Sequence, residues 1–441
     1  MPDHQPEPLR PGLILLFWLP LAAGWLMMAV EGPFIAAVVA RMPDAALNLA
    51  AYGVAFSLAW LVESPIMMLL SASNALVRDR RSFKALRRFA RILNALVTAG
   101  MLVLCAPPVF RAVAGQLIGL PPGVARLAHA AAAVLVPWPA AIGIRRFYQG
   151  ILTRHHRTRC VALGTAVRLA TMALAALAAA VATPLPGAHV ASVALVSGVV
   201  AEAAAVRWMA RPVIRQLRAH DRAEPGALVR FADIARFYWP LALTSILTMS
   251  LGPIVTFGLG RGRAPIESLA VWPVLGSLLF IFRSGGLGFQ ETGVALMGGG
   301  AANDRTVARV GIWIGAAMSL AVALVAFTPL ETLWFERASG LTPALAAAAA
   351  WPVRIMILLP ALEYLLAIQR APLILARRTG TITTATAIEA GGLAATLLAC
   401  IGPLNMAGAV AGALATMVGR IAANAYLATR LPHPATPPAP A

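Results

Sequence analysis

Ten ionisable residues stand inside long apolar stretches of this chain: Glu31, Glu63, Arg168, Glu202, Arg283, Glu291, Arg354, Glu363, Glu389 and Arg420. An ionised group at the centre of a bilayer costs about 2.5–3.5 kcal/mol on insertion scales, so such groups either line a polar cavity or pair with each other. Arginines in a cavity would grip an anionic solute through charge-assisted hydrogen bonds. Carboxylates there would exchange protons, hold Na⁺ or receive a cation. Arg168, Glu202 and Arg420, close to span ends, read as ion pairs or as side chains reaching the interface. Glu31, Arg283, Arg354 and Glu389 lie nearer mid-span and read as cavity residues, whereas Glu63 and Glu363 fit either description.

Helix breakers accompany these charges. Pro20, Pro33, Pro65, Pro240, Pro253, Pro273, Pro352 and Pro360 fall within spans one, two, seven, eight and ten, where proline frees a carbonyl and kinks a helix. The run Arg283-Ser284-Gly285-Gly286-Leu287-Gly288 has two readings. As an unwound stretch its amides, with Ser284 and Gly285, would bind an anion beside Arg283; otherwise the glycines allow close helix packing. The candidate substrate contacts are Arg283, Ser284, Gly285 and Arg354, and the candidate coupling or cavity carboxylates are Glu31, Glu63, Glu363 and Glu389.

The elements that carry them are membrane helices. Hydrophobic residues make up 60% of the 441, only 12% are charged, and mean hydropathy is +0.78; soluble domains carry roughly twice that charge. Apolar runs of about 20 residues, the length that crosses about 30 Å of hydrocarbon, recur with centres near residues 26, 62, 103, 136, 171, 200, 248, 281, 318, 357, 390 and 417. The first run, Leu13 to Ala40, is too long for a cleaved signal sequence. Basic residues crowd alternate loops: 78–88, Arg154 to Arg159, the connection 211–236, and Arg377-Arg378. The other loops hold only scattered charges such as Arg41, Arg111, Arg261 and Arg337. The positive-inside rule then puts both termini in the cytoplasm.

The chain also contains itself twice. Residues 17–64 and 237–284 align without a gap, 220 positions apart, with thirteen of 48 residues identical. Pro20 pairs with Pro240, Gly32-Pro33 with Gly252-Pro253, Arg41 with Arg261, and Glu63 with Arg283. Parallel repeats about an axis along the membrane normal are a mark of secondary transporters. The fold expected is all-α: twelve transmembrane helices in two six-helix bundles, residues 1–210 and 237–430. A cytoplasmic linker, 211–236, with Asp221, Glu224, Pro225 and Gly226, joins them, and a disordered Pro-rich tail, 431–441, follows.

Other function classes lack their residues. The net charge of +19 lies in loops between spans, so nucleic acid is not an expected partner. No phosphate-gripping Walker loop exists, and the only lysine is Lys84 in a loop. Gly258-Leu-Gly-Arg-Gly-Arg follows a span rather than a strand and reads as an external turn. Cys105, Cys160 and Cys400 are scattered, and the His155-His156 pair lies in a basic loop; neither a disulfide framework nor a metal site is expected. No triad or soluble carboxylate pair suggests an enzyme.

Several stretches resemble the progressive ankylosis protein family, within the MATE-like multidrug/oligosaccharidyl-lipid/polysaccharide (MOP) flippase superfamily. Leu49-Ala-Ala-Tyr-Gly-Val-Ala-Phe-Ser-Leu is similar to the family's LASYGLAYSL, with Glu31 at the spacing of a family glutamate. Phe237-Tyr-Trp-Pro-Leu-Ala-Leu, then Pro253-Ile-Val, resembles its FWWPLAL stretch. Pro352-Val-Arg-Ile with Pro360 resembles PLRIFSFFP and sets Arg354 on a family arginine; Gly150-Ile-Leu before Arg154 and Ala407-Gly-Ala are further echoes. The resemblance implies two bundles around a central cleft and export of small polyvalent anions such as pyrophosphate, ATP or citrate. Glu389 stands where animal members have arginine, and Glu63 where they have a small polar residue.

The reading is therefore a monomeric secondary transporter of a bacterial inner membrane, from a high-GC genome. It would have an anionic small-molecule substrate, no cofactor, and coupling to H⁺ or Na⁺ through Glu31 or Glu389. The alternatives are a MATE-type exporter of cationic drugs, with Glu31, Glu63 and Glu389 as cation contacts, and a flippase for a lipid-linked substrate.

Overall fold

A computed structural model describes residues 9–155, 157–219, 230–298, 300–376 and 378–431. His156, Arg222, Arg377, the linker residues Asp221, Glu224, Pro225 and Gly226, and the tail from 432 onward lie outside the described residues. Among the described residues eleven helices are long and apolar enough to cross a membrane: Pro11–Ala40 (span 1), Ala45–Leu76 (2), Arg80–Cys105 (3), Arg159–Ala182 (5), Gly187–Met209 (6), Phe231–Arg261 (7), Pro265–Leu296 (8), Ala301–Phe327 (9), Pro343–Leu375 (10), Thr379–Ile401 (11) and Gly408–Ala428 (12). The bent pair Pro122–Val134 and Trp138–Arg154, meeting at 42°, makes a twelfth if it is counted as one broken span, and is numbered span 4.

The likeness of the two halves extends past the 48-residue match. Pro122, Thr158 and Gly187 begin helices in one half, and Pro343, Thr379 and Gly408 begin theirs 221 residues later. Spans 4 and 10 break at corresponding places, before Trp138 and before Leu359. Each is preceded by a short wide-turned helix, Ala112–Ile118 or Leu333–Ala338.

Three local expectations change. The basic stretch 78–88 is the opening of span 3 from Arg80 onward, not a loop, so the span is centred well before residue 103. Asp79 caps it: its Oδ1 accepts from the Ser82 amide at 2.7 Å while Ser82 Oγ accepts from the Asp79 amide at 3.0 Å. This capping box satisfies two amides that would otherwise lack acceptors. Asp79→Ala is expected to cost about 1 kcal/mol, seen as faster amide hydrogen exchange over residues 80–84 with the rest of the helix unchanged. Secondly, prolines do not interrupt spans 7 and 8: Phe231–Arg261 runs through Pro240 and Pro253, and Pro265–Leu296 through Pro273. Membrane helices tolerate proline where neighbours and local adjustments re-satisfy the backbone. Breaks do occur at Val30 before Glu31, at Ser64–Ile66 and before Leu359. Thirdly, both described ends of the 211–236 connection are helical, as Arg211–Ala219 and as the start of span 7 at Phe231. The run 258–261 likewise completes span 7, leaving the turn to Gly262 onward.

The chain forms two compact units whose limits differ from the expected 1–210 and 237–430. One comprises Met1–Pro33 with Trp272–Ala441, the other Phe34–Val271. In the first, Ile14 is buried with Phe289, Val307, Val310 and Tyr364. The Trp18 indole donates to Gly285 O at 2.9 Å, and the Leu9 amide to Asn303 Oδ1 at 2.9 Å. In the second, span 7 is held by Tyr238 Oη donating to Pro65 O at 2.5 Å and by Thr256 donating to Ser57 Oγ at 3.0 Å. The Arg261 guanidinium closes the span's end by donating to Leu117 O at 3.0 Å and to Gln116 O. Each unit thus contains the opening helix of the other half's repeat.

Candidate functional site

Among the described residues each unit holds a cluster of five ionisable side chains, most of them buried. In the unit Phe34–Val271 the centre is Glu202 on span 6, fully buried. Its Oε2 lies 2.9 Å from Arg145 Nη1 and 3.8 Å from Arg168 Nη1, and its Oε1 accepts from Gln149 Nε2 at 3.0 Å. Arg145 and Gln149 are four apart on Trp138–Arg154 and so share a helix face. Gly164 lets span 5 approach span 6: a Cβ there would meet Val206 Cγ2 at 2.6 Å. That contact uses the small-residue packing common in bilayers. Glu63 on span 2 accepts from the Trp138 indole, and the Arg168 guanidinium lies 5.8 Å from the centroid of that ring. Arg146, half-buried, points a guanidinium nitrogen at Met67 Sδ, 3.9 Å away. Among the described residues no carboxylate lies within ion-pair distance of Arg146, and no cation within that distance of Glu63.

In the unit Met1–Pro33 with Trp272–Ala441 the centre is Arg420 on span 12. Its Nη1 lies 3.0 Å from Glu363 Oε2, and its Nε 2.8 Å from Glu389 Oε1. The Nε contact is off the N–H direction, so it is an ion pair without a hydrogen bond. Arg283 Nε lies 3.3 Å from Glu363 Oε2, with the Arg283 side chain 29% exposed. Arg370 donates to Thr386 Oγ1 at 3.4 Å and has no carboxylate in ion-pair distance among the described residues.

The two clusters have the same formula with the signs rearranged. Each holds three arginines and two glutamates: Arg145, Arg146, Arg168, Glu63 and Glu202 in one, Arg283, Arg370, Arg420, Glu363 and Glu389 in the other. Glu63 corresponds to Arg283 across the 220-residue offset, and Arg168 to Glu389 across the 221-residue offset. Spans 2 and 5 therefore carry acid and base where spans 8 and 11 carry base and acid.

The remaining predicted residues lie elsewhere. Arg354 is at the end of the first segment of span 10, 3.3 Å from Glu331 and stacked near the Phe327 and Trp351 rings, apart from the Arg283 cluster. The run 283–288 is helical rather than unwound. Gly285 is covered by the Tyr364 hydroxyl and the Trp18 ring, and Gly288 faces the Leu21 and Ala22 backbone. Ser284 is buried and donates to Ile281 O at 3.0 Å. These residues are spent on packing spans 1, 8 and 10 together, and neither Ser284 nor Gly285 is open to a solute. Glu31, also buried, opens the second segment of span 1, where Gly32 sits against Ser277. Among the described residues no three His, Cys, Asp or Glu side chains converge as a metal-binding group.

Sequence reasoning overlooked Arg145, Arg146, Gln149 and Arg370. A usable signal existed: Arg145 and Gln149 are one turn apart in an apolar helix, and a polar i, i+4 pair there needs a partner.

The fold matches known structures. The chain aligns with an inward-facing multidrug resistance MATE family transporter of the MOP superfamily at TM-score 0.72 and 13% identity, covering 94% of this chain and 98% of that one. This is the fold of the MATE transporters. The same MATE-like architecture relates it to the lipid II flippase MurJ in an inward closed conformation, at TM-score 0.66 and 11% identity, over 93% and 87% of the two chains. It also aligns with a MOP superfamily transporter from Pyrococcus furiosus described as having a binding pocket of reverse polarity, at TM-score 0.65 and 14% identity, over 96% of both. At these identities the likeness is one of fold. No protein-family profile matches the sequence, and no curated protein matches it. The progressive ankylosis resemblance therefore rests on the residues quoted above.

Proposed function

We propose that this protein is a secondary transporter that moves a small polyvalent anion by alternating exposure of a substrate site, with Arg283 as the principal anion contact. The observation that carries the reading is the arginine excess in both buried clusters. Three guanidinium groups share two carboxylates, and Arg146 and Arg370 lack carboxylate partners among the described residues. A buried unpaired charge is costly, and an anion near these groups would offset that cost while it is bound. Arg283, partly exposed beside Glu363, is the member of its cluster most able to exchange its partner for a solute.

Glu63 joins Glu31 as a candidate for coupling to H⁺ or Na⁺, ahead of Glu389. Glu389 has Arg420 at 2.8 Å, whereas Glu63 has an indole N–H and more distant arginines. A carboxylate without an adjacent cation gains and loses a proton with less rearrangement. The protein in this reading is a monomer of a bacterial inner membrane with both termini cytoplasmic. The MATE and MurJ likenesses support a transporter and leave the cargo to experiment.

The test is flux from proteoliposomes loaded with pyrophosphate, ATP, citrate or a cationic dye, with and without pH and Na⁺ gradients. Anion flux should fall at least tenfold in Arg283→Ala and stay within about twofold in Arg354→Ala. Glu63→Gln should keep downhill flux but lose its response to the pH gradient. Dye movement that survives Arg283→Ala would sink the anion reading and favour a cation exporter. No flux of any solute would turn attention to a lipid-linked cargo.

A further inference from the structure

Span 3 and the short helix Arg211–Ala219 enclose a second basic feature, separate from the buried clusters. A cavity of about 220 Å³ in the unit Phe34–Val271 is lined by Arg87, Arg207, Arg211 and Arg215 with Phe83 and Tyr148. No carboxylate lines it, and none pairs with these four arginines among the described residues. Phe83 and Tyr148 are buried and form aromatic walls, and the Arg87 guanidinium lies 6.0 Å from the centroid of the Phe83 ring. The helix Arg211–Ala219 is positioned by its apolar face: Val213, Ile214 and Leu217 are buried, while Arg211 and Arg215 are left on the exposed side.

Topology by itself does not require this arrangement. The positive-inside rule is met by arginines pointing into water, where mutual repulsion is least. Here four arginines from three helices, three of them exposed, line one open volume with aromatic walls, so like charges are gathered in a place that favours a polyanion. Arginine forks match phosphate oxygens in pairs, and basic pockets at the ends of membrane helices suit phosphate-bearing headgroups.

We infer that this cavity is a binding site for a phosphoryl group, supplied by an anionic phospholipid headgroup or by a soluble phosphate compound. The site is independent of the transport reading: it can be occupied whether or not the protein moves an anion.

The experiment uses the full chain purified in detergent and in nanodiscs. One arm titrates pyrophosphate and ATP by calorimetry at fixed salt. The other measures retention of cardiolipin and phosphatidylglycerol against phosphatidylcholine by native mass spectrometry. The variant Arg207→Gln/Arg211→Gln is compared with Arg81→Gln/Arg88→Gln, which removes equal charge from exposed positions of span 3 outside the cavity lining. The inference expects at least one arm to bind the wild type, with affinity lowered at least tenfold in the cavity variant and less than about twofold in the control. Binding in the calorimetric arm identifies a soluble ligand, and binding in the lipid arm a headgroup. Absence of binding in both arms, or equal losses in the two double variants, overturns the site; the second result would mean diffuse charge attraction only. Flux is measured in parallel, so a failed transport reading remains distinguishable from a failed site.

Discussion

Glu202→Leu should lower the stability of the folded protein by about 3–5 kcal/mol, the usual loss when one member of a buried ion pair is removed. The Arg145 and Arg168 side chains are only 5% and 8% exposed, and Glu202 is the carboxylate within reach of both. An arginine left without that partner cannot discharge itself by losing a proton, and Gln149 loses an acceptor as well. The check is thermal unfolding in detergent, read by tryptophan fluorescence. A second variant decides the cause. Glu202→Leu with Arg145→Met removes the nearer of the two stranded charges and should recover part of the loss, because apolar replacement of a buried pair is often neutral. If the double variant is no better than the single, packing rather than charge dominates at this site. An unchanged melting temperature in Glu202→Leu alone would mean that water reaches the cluster.

Gly150→Val is expected to be nearly as damaging, for a steric reason. A Cβ at residue 150 would meet the Leu70 carbonyl, lie 2.6 Å from Ser73 Cβ and approach the Asn74 amide at 3.1 Å. Two of those three neighbours are backbone atoms, and Arg154 donates to Asn74 O at 2.8 Å in the same place. Spans 2 and 4 must therefore move apart or shift in register. Overpacking of this kind costs about 1–3 kcal/mol even for smaller additions, whereas the helix-propensity gain over glycine is at most about 1 kcal/mol. The clash wins. Gly391→Ala is the counterpart: nothing lies within 4 Å of its Cβ position, so it should be neutral or slightly stabilising. Melting temperatures of the two variants moving in the same direction would contradict the packing described here.

Much of the architecture was legible in the residues because the bilayer acts locally. A span must satisfy its own backbone hydrogen bonds and present about 20 apolar residues, so the number and order of spans follow from windows of sequence. Hydropathy sets span 3 too late because its first turns are basic, although Asp79 and Ser82 at capping-box spacing announce its start. The glycines at 285, 286 and 288 were ambiguous for a related reason. Glycine permits both an unwound turn and a close helix contact, and only the presence of Tyr364, Trp18 and Glu363 opposite them selects the contact.

Individual intramembrane charges could also be found from residue type alone, since each is expensive wherever it sits in hydrocarbon. Their partners could not. Glu363 meets Arg283 and Arg420 from spans 8 and 12, Glu202 collects Arg145 and Arg168 from spans 4 and 5, and Arg354 goes instead to Glu331. Those choices depend on helix rotation and crossing, which sum many small contacts between residues remote in the chain. The same holds for the units. The duplication suggests a cut between spans 6 and 7, yet side-chain packing groups the opening helix of each half with the other half's helices. Apolar windows and repeats are properties of a segment and can be read from it; ion-pair partners and unit boundaries belong to pairs of segments and exist only once the helices have packed.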